Sequence, residues 1–163
     1  MKMRISEEMC KTLNAQYNEE HANDAMYQAM ANWASANGYR GVAAWFNNQA
    51  NEEREHAGRF KGYMESVFVD VVKEAVPAPR TEFKNVTELF EAGIEAEQNT
   101  TDNIFAIFKQ AMKEEDLFTL DFIKHFIAEQ REEESSFEGM LRFAKKDEKE
   151  DYMNLDHVCA ARK

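Results

Sequence analysis

The stretch Glu53-Arg-Glu-His56 lies in the middle of a long predicted helix and decides how the rest of the chain is arranged. A carboxylate and an imidazole three residues apart share one helical face, and here that face is otherwise apolar, with Val42, Phe46 and Phe60 at helical spacing. A charge buried alone is very costly, whereas several acids that converge on a divalent cation neutralise one another through the metal. The stretch therefore predicts a metal site enclosed by helices.

Acids interrupt the predicted buried stripes of three further helical segments, each near the middle of its helix. They are Glu20 in the first segment, Glu97 in the third, and Glu129 with Glu133 in the fourth. One such acid is usually a solvated edge, but acids at matching depth on four helices predict a shared site. Carboxylates with one imidazole suit a hard or borderline cation that changes oxidation state, whereas structural zinc prefers cysteine. The pattern favours iron, and bridging carboxylates can hold two ions.

The composition predicts a single all-α domain. A chain of 163 residues with 44% hydrophobic content can bury one substantial core, so we expect one domain over residues 1–163. Only two prolines and six glycines favour long helices over short strands joined by turns. The expected fold is a four-helix bundle with one long crossover and a short C-terminal fifth helix.

Capping residues and turns set the expected helix boundaries. The short connection after the first helix implies an antiparallel hairpin, and the helical period then fails until about residue 85. The expected limits are Ser6 and Asn37-Gly38 for the first helix, about residues 39 and 67 for the second, Asn85 or Thr87 and residues 114–116 for the third, a stop within residues 145–151 for the fourth, and about residues 152–161 for the fifth.

Charge and hydropathy exclude several classes of partner. The formal net charge of −11 and the sequence pI of about 4.9 argue against phosphate backbones and anionic membranes, and favour cations. No run approaches the roughly 18 apolar residues of a membrane span, and the first residues contain no apolar signal core. We therefore expect a cytoplasmic protein without nucleic-acid or membrane partners, with Cys10 and Cys159 as reduced thiols.

Several acids near these stripes also have an ordinary structural explanation. Glu52, Glu55, Glu132 and Glu134 lie in acid-rich runs, for which a solvated face is the usual reason. Solvation and metal binding stay equally open for Glu52 and Glu132. The solvated face is preferred for Glu55 and Glu134.

The other aromatic and imidazole side chains near the stripes predict packing rather than chemistry. Tyr27 lies one heptad after Glu20, where a buried tyrosine is more often a packed ring with a satisfied hydroxyl than a redox participant. His21, His125 and His157 lack partner spacing and are expected to be structural or exposed.

Seven stretches of the chain carry a family resemblance. They are Leu13-Asn-Ala-Gln-Tyr-Asn-Glu-Glu20, Tyr27-Gln-Ala-Met30, Glu52-Glu-Arg-Glu-His56, Pro77-Ala-Pro-Arg-Thr-Glu-Phe83, Glu88-Leu-Phe-Glu91, Glu97-Gln98 and Glu129-Gln-Arg-Glu-Glu-Glu134. Together they resemble the ferritin family, specifically the bacterial non-haem ferritins, over about residues 6–144.

The resemblance implies a di-iron ferroxidase centre within one subunit. Glu20 and His56 would bind the first iron. Glu53 would bridge the two ions, and Glu97 would bind the second. Tyr27 would be the family's tyrosine that forms a hydrogen bond beside the centre.

The resemblance also assigns roles to residues of the fourth helix. Gln130 would lie near the second iron, and Glu133 would be a further ligand. In the bacterial members a third iron site lies towards the cavity. By position it would use Glu52, Glu129 and Glu132, shared with Glu133.

Two departures from related sites distinguish this chain from bacterioferritins and rubrerythrin-like proteins. Where bacterioferritin and rubrerythrin-like sites have a second Glu-x-x-His, this chain has Gln130-Arg-Glu-Glu133. Arg54 stands where bacterioferritin carries its haem-ligating methionine, so we expect no haem.

The resemblance implies iron storage as the function. Fe(II) would be oxidised by dioxygen or hydrogen peroxide and stored as a hydrated ferric oxide inside a homo-oligomeric shell of 24 subunits. Two alternatives stay open: a ferritin-like oxidoreductase that reduces peroxide without storing iron, and an acidic helical protein that buffers divalent metals or scaffolds a partner. The first would be expected to carry a rubredoxin-type cysteine pair, which the sequence lacks.

Overall fold

Four long helices and one short helix make up the computed structural model, which describes residues 3–161. A 3-10 turn at Glu148–Glu150 links the last long helix to the short one. The helices are α1 (Glu7–Ala36), α2 (Arg40–Ser66), α3 (Val86–Glu114), α4 (Leu117–Asp147) and α5 (Met153–Ala160). No helix of residues 3–161 is long and apolar enough to cross a membrane.

Side-chain caps explain where three of the long helices begin. Ser6, Asn85 and Asp116 each accept a hydrogen bond from a backbone N–H three residues further on, which satisfies one of the amides left open at a helix start. Of the two candidate caps for α3, the structure therefore selects Asn85 over Thr87. Gly38, with φ of +88°, makes the tight turn between α1 and α2.

The helices pair as two hairpins joined by the extended segment 67–85. α1 packs mainly on α2, and α3 packs mainly on α4. Two side chains of α1 hold the extended segment: Asn14 accepts from the backbone N–H of Val72 at 2.8 Å, and Asn18 accepts from that of Glu74 at 2.8 Å. The predicted four-helix bundle with one long crossover and a short fifth helix is confirmed.

A layer of buried polar side chains divides the core along the bundle axis. One apolar cluster includes Trp45 and Phe90, and the other includes Phe60 and Ile104. The residues between them on the four long helices are polar and at most 7% exposed: Glu20, Asp24, Glu53, His56, Glu97, Thr100 and Gln130. Because burial of acids is costly without a partner cation, this layer is where chemistry is expected.

At this layer the prediction for α4 was wrong: the residue that faces inward is Gln130, where Glu129 was expected. Gln130 is buried at 1% exposure, while Glu129 and Glu133 are only half-buried at its sides. Phe126 and Phe137 set this phase because both lie in the apolar clusters.

α5 docks on the start of α2 through a close backbone contact. The cap residue of α2, Tyr39, makes no side-chain capping bond, but Asp156 of α5 accepts from the backbone N–H of Val42 at 2.9 Å. A Cβ at Gly41 would lie 1.8 Å from the backbone oxygen of Asp156. Only glycine therefore permits this approach.

We expect Gly41→Ala to displace α5. Because the obstacle is backbone, the loss of stability should be about 2 kcal/mol or more, in the range of other overpacked sites. Chemical denaturation and hydrogen exchange of residues 153–160 measure the effect. Gly58→Ala on the same helix is the control, since a Cβ there meets nothing within 4 Å. Equal stability of the two variants would contradict the docking role.

Candidate metal centre

Three buried ligand groups meet in the polar layer between α1 and α2. Each of Glu20, Glu53 and His56 offers one ligand atom, and these atoms all lie within 4.8 Å of one another. His56 Nδ1 lies 3.8 Å from Glu20 Oε2 and 3.8 Å from Glu53 Oε2. Their spacing follows from two helices in contact, with the Glu53 and His56 pair one turn apart on α2.

The three groups shift one another's pKa values. Burial alone would lower the pKa of His56, but its ion pairs with Glu129, Glu20 and Glu53 raise it above its ordinary value. Burial and the charge of Glu20 raise the pKa of Glu53 well above its usual range. Burial acts to raise the pKa of Glu20 as well, yet the contacts with His56 and Glu53 lower it. In the metal-free protein a proton on His56 thus supplies the positive charge that the acids need.

The cluster has unused capacity to bind a cation. Among the described residues, Glu20 Oε2 and Glu53 Oε2 are buried and have no hydrogen-bond partner. Buried carboxylate oxygens without a partner carry a free-energy penalty that a metal ion would remove. Oxygen ligands with one imidazole suit ferrous iron and similar ions.

Glu97 of α3 lies in the same polar layer, outside the compact three-residue cluster, and two hydrogen bonds hold it there. The Tyr27 hydroxyl donates to Glu97 Oε1 at 2.5 Å, and Gln130 Nε2 donates to Glu97 Oε2 at 3.0 Å. Burial raises the pKa of Glu97 from 4.5 to about 7, with repulsion from Glu133 and Glu20 adding to it and the two hydrogen bonds opposing it. Tyr27 is fully buried and its pKa is also raised, first by burial and then by Glu97.

We expect the metal-free protein to lose stability as the pH rises through 7. A carboxyl with a raised folded-state pKa contributes stability below its unfolded pKa, and this is lost as the pH rises through the folded pKa. For Glu97, with a pKa raised from 4.5 to about 7, the share is about 3 kcal/mol, which is lost between these two pH values. Glu97→Gln should therefore be more stable than the wild type at pH 8 and similar at pH 4.5.

Denaturant titrations with a chelator present, at fixed protein concentration, measure this difference. Glu95→Gln replaces an exposed acid of the same helix and is the control. A stability gap between Glu97→Gln and wild type that does not change with pH would contradict the expectation.

Two buried glutamines belong to the site but were not among the predicted site residues. Gln16 Nε2 donates to Glu20 Oε1 at 2.9 Å, and Gln49 Nε2 donates to Glu133 Oε2 at 3.0 Å. Gln16 lies one turn before Glu20, and Gln49 lies one turn before Glu53. A glutamine four residues before an inward acid was the signal available in the sequence.

The residues predicted for a third site are only partly brought together. Glu129 Oε2 lies 3.3 Å from His56 Nε2, so this acid touches the buried cluster. Burial acts to raise the pKa of Glu129, but His56 and Arg59 lower it to about 2. Glu52 is half-buried and Glu132 is exposed, and neither is part of the compact three-residue cluster.

The expectation that His125 lacks a partner was wrong. It is exposed as predicted, but its Nε2 lies 3.0 Å from Glu129 Oε1, one turn further along α4. Arg54, by contrast, points to α1, where its guanidinium forms two hydrogen bonds with Asp24 at 3.0 and 3.1 Å.

Comparisons with known proteins show that the chain is similar to ferritins. The family model described as a ferritin-like domain matches residues 10–146. The bacterial non-heme ferritin of Staphylococcus haemolyticus is 35% identical over 139 residues, which cover 85% of this chain and 84% of the relative. That of Staphylococcus saprophyticus is 36% identical, with 85% and 83% covered.

Solved structures share the fold closely. An open-pore ferritin from the hyperthermophilic archaeon Archaeoglobus fulgidus superposes with a TM-score of 0.96 at 30% identity, covering 99% of this chain and 100% of that one. A humanized archaeal ferritin gives a TM-score of 0.94 at 28% identity, with 98% of each chain covered.

Proposed function

Because this chain belongs to the ferritin family, we propose that it oxidises Fe(II) at a di-iron ferroxidase centre and stores Fe(III) as a hydrated oxide. The family supports iron storage and an oligomeric shell of identical subunits. The observation that carries the proposal is the buried cluster of Glu20, Glu53 and His56, whose carboxylates hold unpartnered oxygens. Two ferrous ions would supply the two electrons that reduce one dioxygen to hydrogen peroxide.

The buried cluster would bind the first iron and part of the second. In this proposal Glu20 and His56 bind the first ion, with Glu53 bridging to the second. Metal binding would displace the proton from His56, because a ligating imidazole must be neutral. Gln16 would keep one oxygen of Glu20 occupied, so that the other faces the metal.

The second iron would lie between α3 and α4. Glu97 would bind it, with Gln130 beside it and Glu133 as a further ligand. Tyr27 would orient Glu97 through its hydroxyl, which is a positioning role supported by the 2.5 Å contact. Gln49 would hold Glu133 towards the centre in the same way.

The finer points of the proposal concern the third site, the assembly and the location. We propose that Glu52, Glu129 and Glu132, shared with Glu133, form a third iron site through which ions pass. The chain would form one domain over residues 1–163 that assembles into a 24-subunit shell in the cytoplasm.

The test adds Fe(II) in air to the metal-free protein at a large excess per chain. Ferric absorbance and the elution size of the iron are followed together. Hundreds of ferric ions per assembly that elute with a large oligomer are expected. Oxidation or binding that stops at two or three ions per chain would overturn the storage proposal.

The same experiment separates the two alternative functions. With peroxide and a reductant added, an oxidoreductase would consume peroxide with catalytic turnover while its bound iron stays at two or three ions per chain. A metal buffer would saturate at a few ions and consume no oxygen.

A further inference from the structure

A second charged cluster lies at the edge of the metal centre, on α2 and α4. Arg59 donates through NH1 to Glu129 Oε1 at 2.8 Å, and the same nitrogen lies 2.9 Å from His125 Nε2. His125 Nε2 and Glu129 Oε1 are themselves 3.0 Å apart. The side chains of Arg59 and His125 are 43% and 61% exposed, so the cluster opens to the surface.

The chemistry of the three groups fixes which atoms accept. A guanidinium has only donors, so in the neutral tautomer that carries its hydrogen on Nδ1, His125 Nε2 presents its lone pair to Arg59 NH1. Glu129 Oε1 presents a lone pair to the same nitrogen. An imidazole nitrogen and a carboxylate oxygen therefore point at one position, and a cation occupies that position.

This pair of acceptors has the form of a metal site. Neutral imidazole with carboxylate is a common ligand set for divalent transition metals. The spacing of His125 and Glu129, four residues apart on one helix, places both on one face without rearrangement of the backbone. The second oxygen of Glu129 is buried, has no hydrogen-bond partner among the described residues, and lies 3.3 Å from His56 Nε2.

We propose that His125 Nε2 and Glu129 Oε1 form a binding site for a divalent transition metal, which the guanidinium of Arg59 occupies in the metal-free protein. We call this pair with Arg59 the Arg59 site. A metal ion would take the place of Arg59, whose exposed side chain can turn into solvent. That the ion is Fe(II) in transit to or from His56 rests on the proposed function. His125 would then be an iron ligand outside the di-iron centre.

Zinc binding to the metal-free protein tests the proposal without redox chemistry. In Arg59→Gln the competing cation is gone, so calorimetry should show one Zn²⁺ per chain, in addition to zinc at the buried centre, bound roughly tenfold more tightly than in the wild type, the size expected for a hydrogen bond to a charged group. Lys61→Gln removes the same charge from the same helix, where Lys61 pairs with Glu65 instead. It should leave zinc affinity unchanged.

Removal of the imidazole separates ligation from a general change of charge. In Arg59→Gln with His125→Ala the tighter site should disappear. Anomalous scattering from Arg59→Gln crystals should place zinc between His125 and Glu129. Equal isotherms for Arg59→Gln and Lys61→Gln, or no zinc between His125 and Glu129 in those crystals, would overturn the proposal. Iron oxidation and mineral loading by the wild-type protein are measured separately, so a failure of the storage function would show there instead.

Discussion

Replacement of Glu53 and His56 together by alanine is expected to slow rapid Fe(II) oxidation by about 100-fold or more. Loss of groups that merely orient metal ligands costs roughly 10–100-fold, and this variant removes two of the proposed ligands themselves. The fold should persist, because Glu53 is a buried acid whose charged form is disfavoured by burial and by Glu20. Stopped-flow ferric absorbance at two Fe(II) per chain measures the rate.

Glu55→Ala is the matched control for this variant. It removes an exposed acid from the same turn of α2 and should leave the rate unchanged. Circular dichroism and the elution volume of the metal-free variants establish that both are folded and assembled. Fast oxidation that survives the loss of Glu53 and His56 would sink the assignment of the centre to this cluster, while leaving the family membership intact.

The fold could be predicted because helix signals are local. Ser6 and Asn85 cap helices through contacts within three residues, and Gly38 ends the first hairpin turn within the same short stretch. Periods of three and four then fix which face of a helix is buried. Docking of α5 could not be foreseen, because the contact of Gly41 with Asp156 joins positions far apart in the sequence.

The buried acids of the candidate site could be picked out from the sequence pattern, whereas their partners Gln16, Gln49 and Arg59 were not predicted. Glu20, Glu53 and Glu97 stand out because each interrupts an apolar stripe. On α4 three acids follow Gln130 closely, and the periodicity alone did not show that Gln130 faces inward. The contact of Arg59 with Glu129 spans 70 residues, and nothing in the local pattern marks it.

The polar layer couples stability to metal binding. Its acids are held in place by the apolar clusters on each side, which tolerate unpartnered oxygens at Glu20 and Glu53. Any ion that binds the folded chain and not the unfolded chain stabilises it by mass action. The packing of the apolar cluster that contains Trp45, Phe90 and Phe137 should therefore affect both the stability of the protein and the geometry of the centre.

Gly93→Ala is expected to destabilise the protein by overpacking the Phe137 ring. A Cβ at Gly93 would lie 2.2 Å from Cε1 of Phe137, a ring that is fully buried. Phe137 cannot move freely, because it stacks on Tyr27 at 5.6 Å and meets Trp45 edge-on at 4.8 Å between ring centroids. Overpacking should cost about 3 kcal/mol of stability, and the higher helix propensity of alanine should return about 1 kcal/mol. The net loss of stability is therefore about 2 kcal/mol.

The displacement of Phe137 should also reach the metal centre. Tyr27 stacks on this ring and donates to Glu97, so a shifted ring would move the proposed ligand of the second iron and lower the oxidation rate. Gly139→Ala is the control on the helix of Phe137: a Cβ there meets nothing within 4 Å, and stability should rise by about 0.5–1 kcal/mol. Denaturant midpoints and oxidation rates of both variants decide the matter. If Gly93→Ala matched Gly139→Ala in both, the Phe137 ring would not be the element that positions Tyr27.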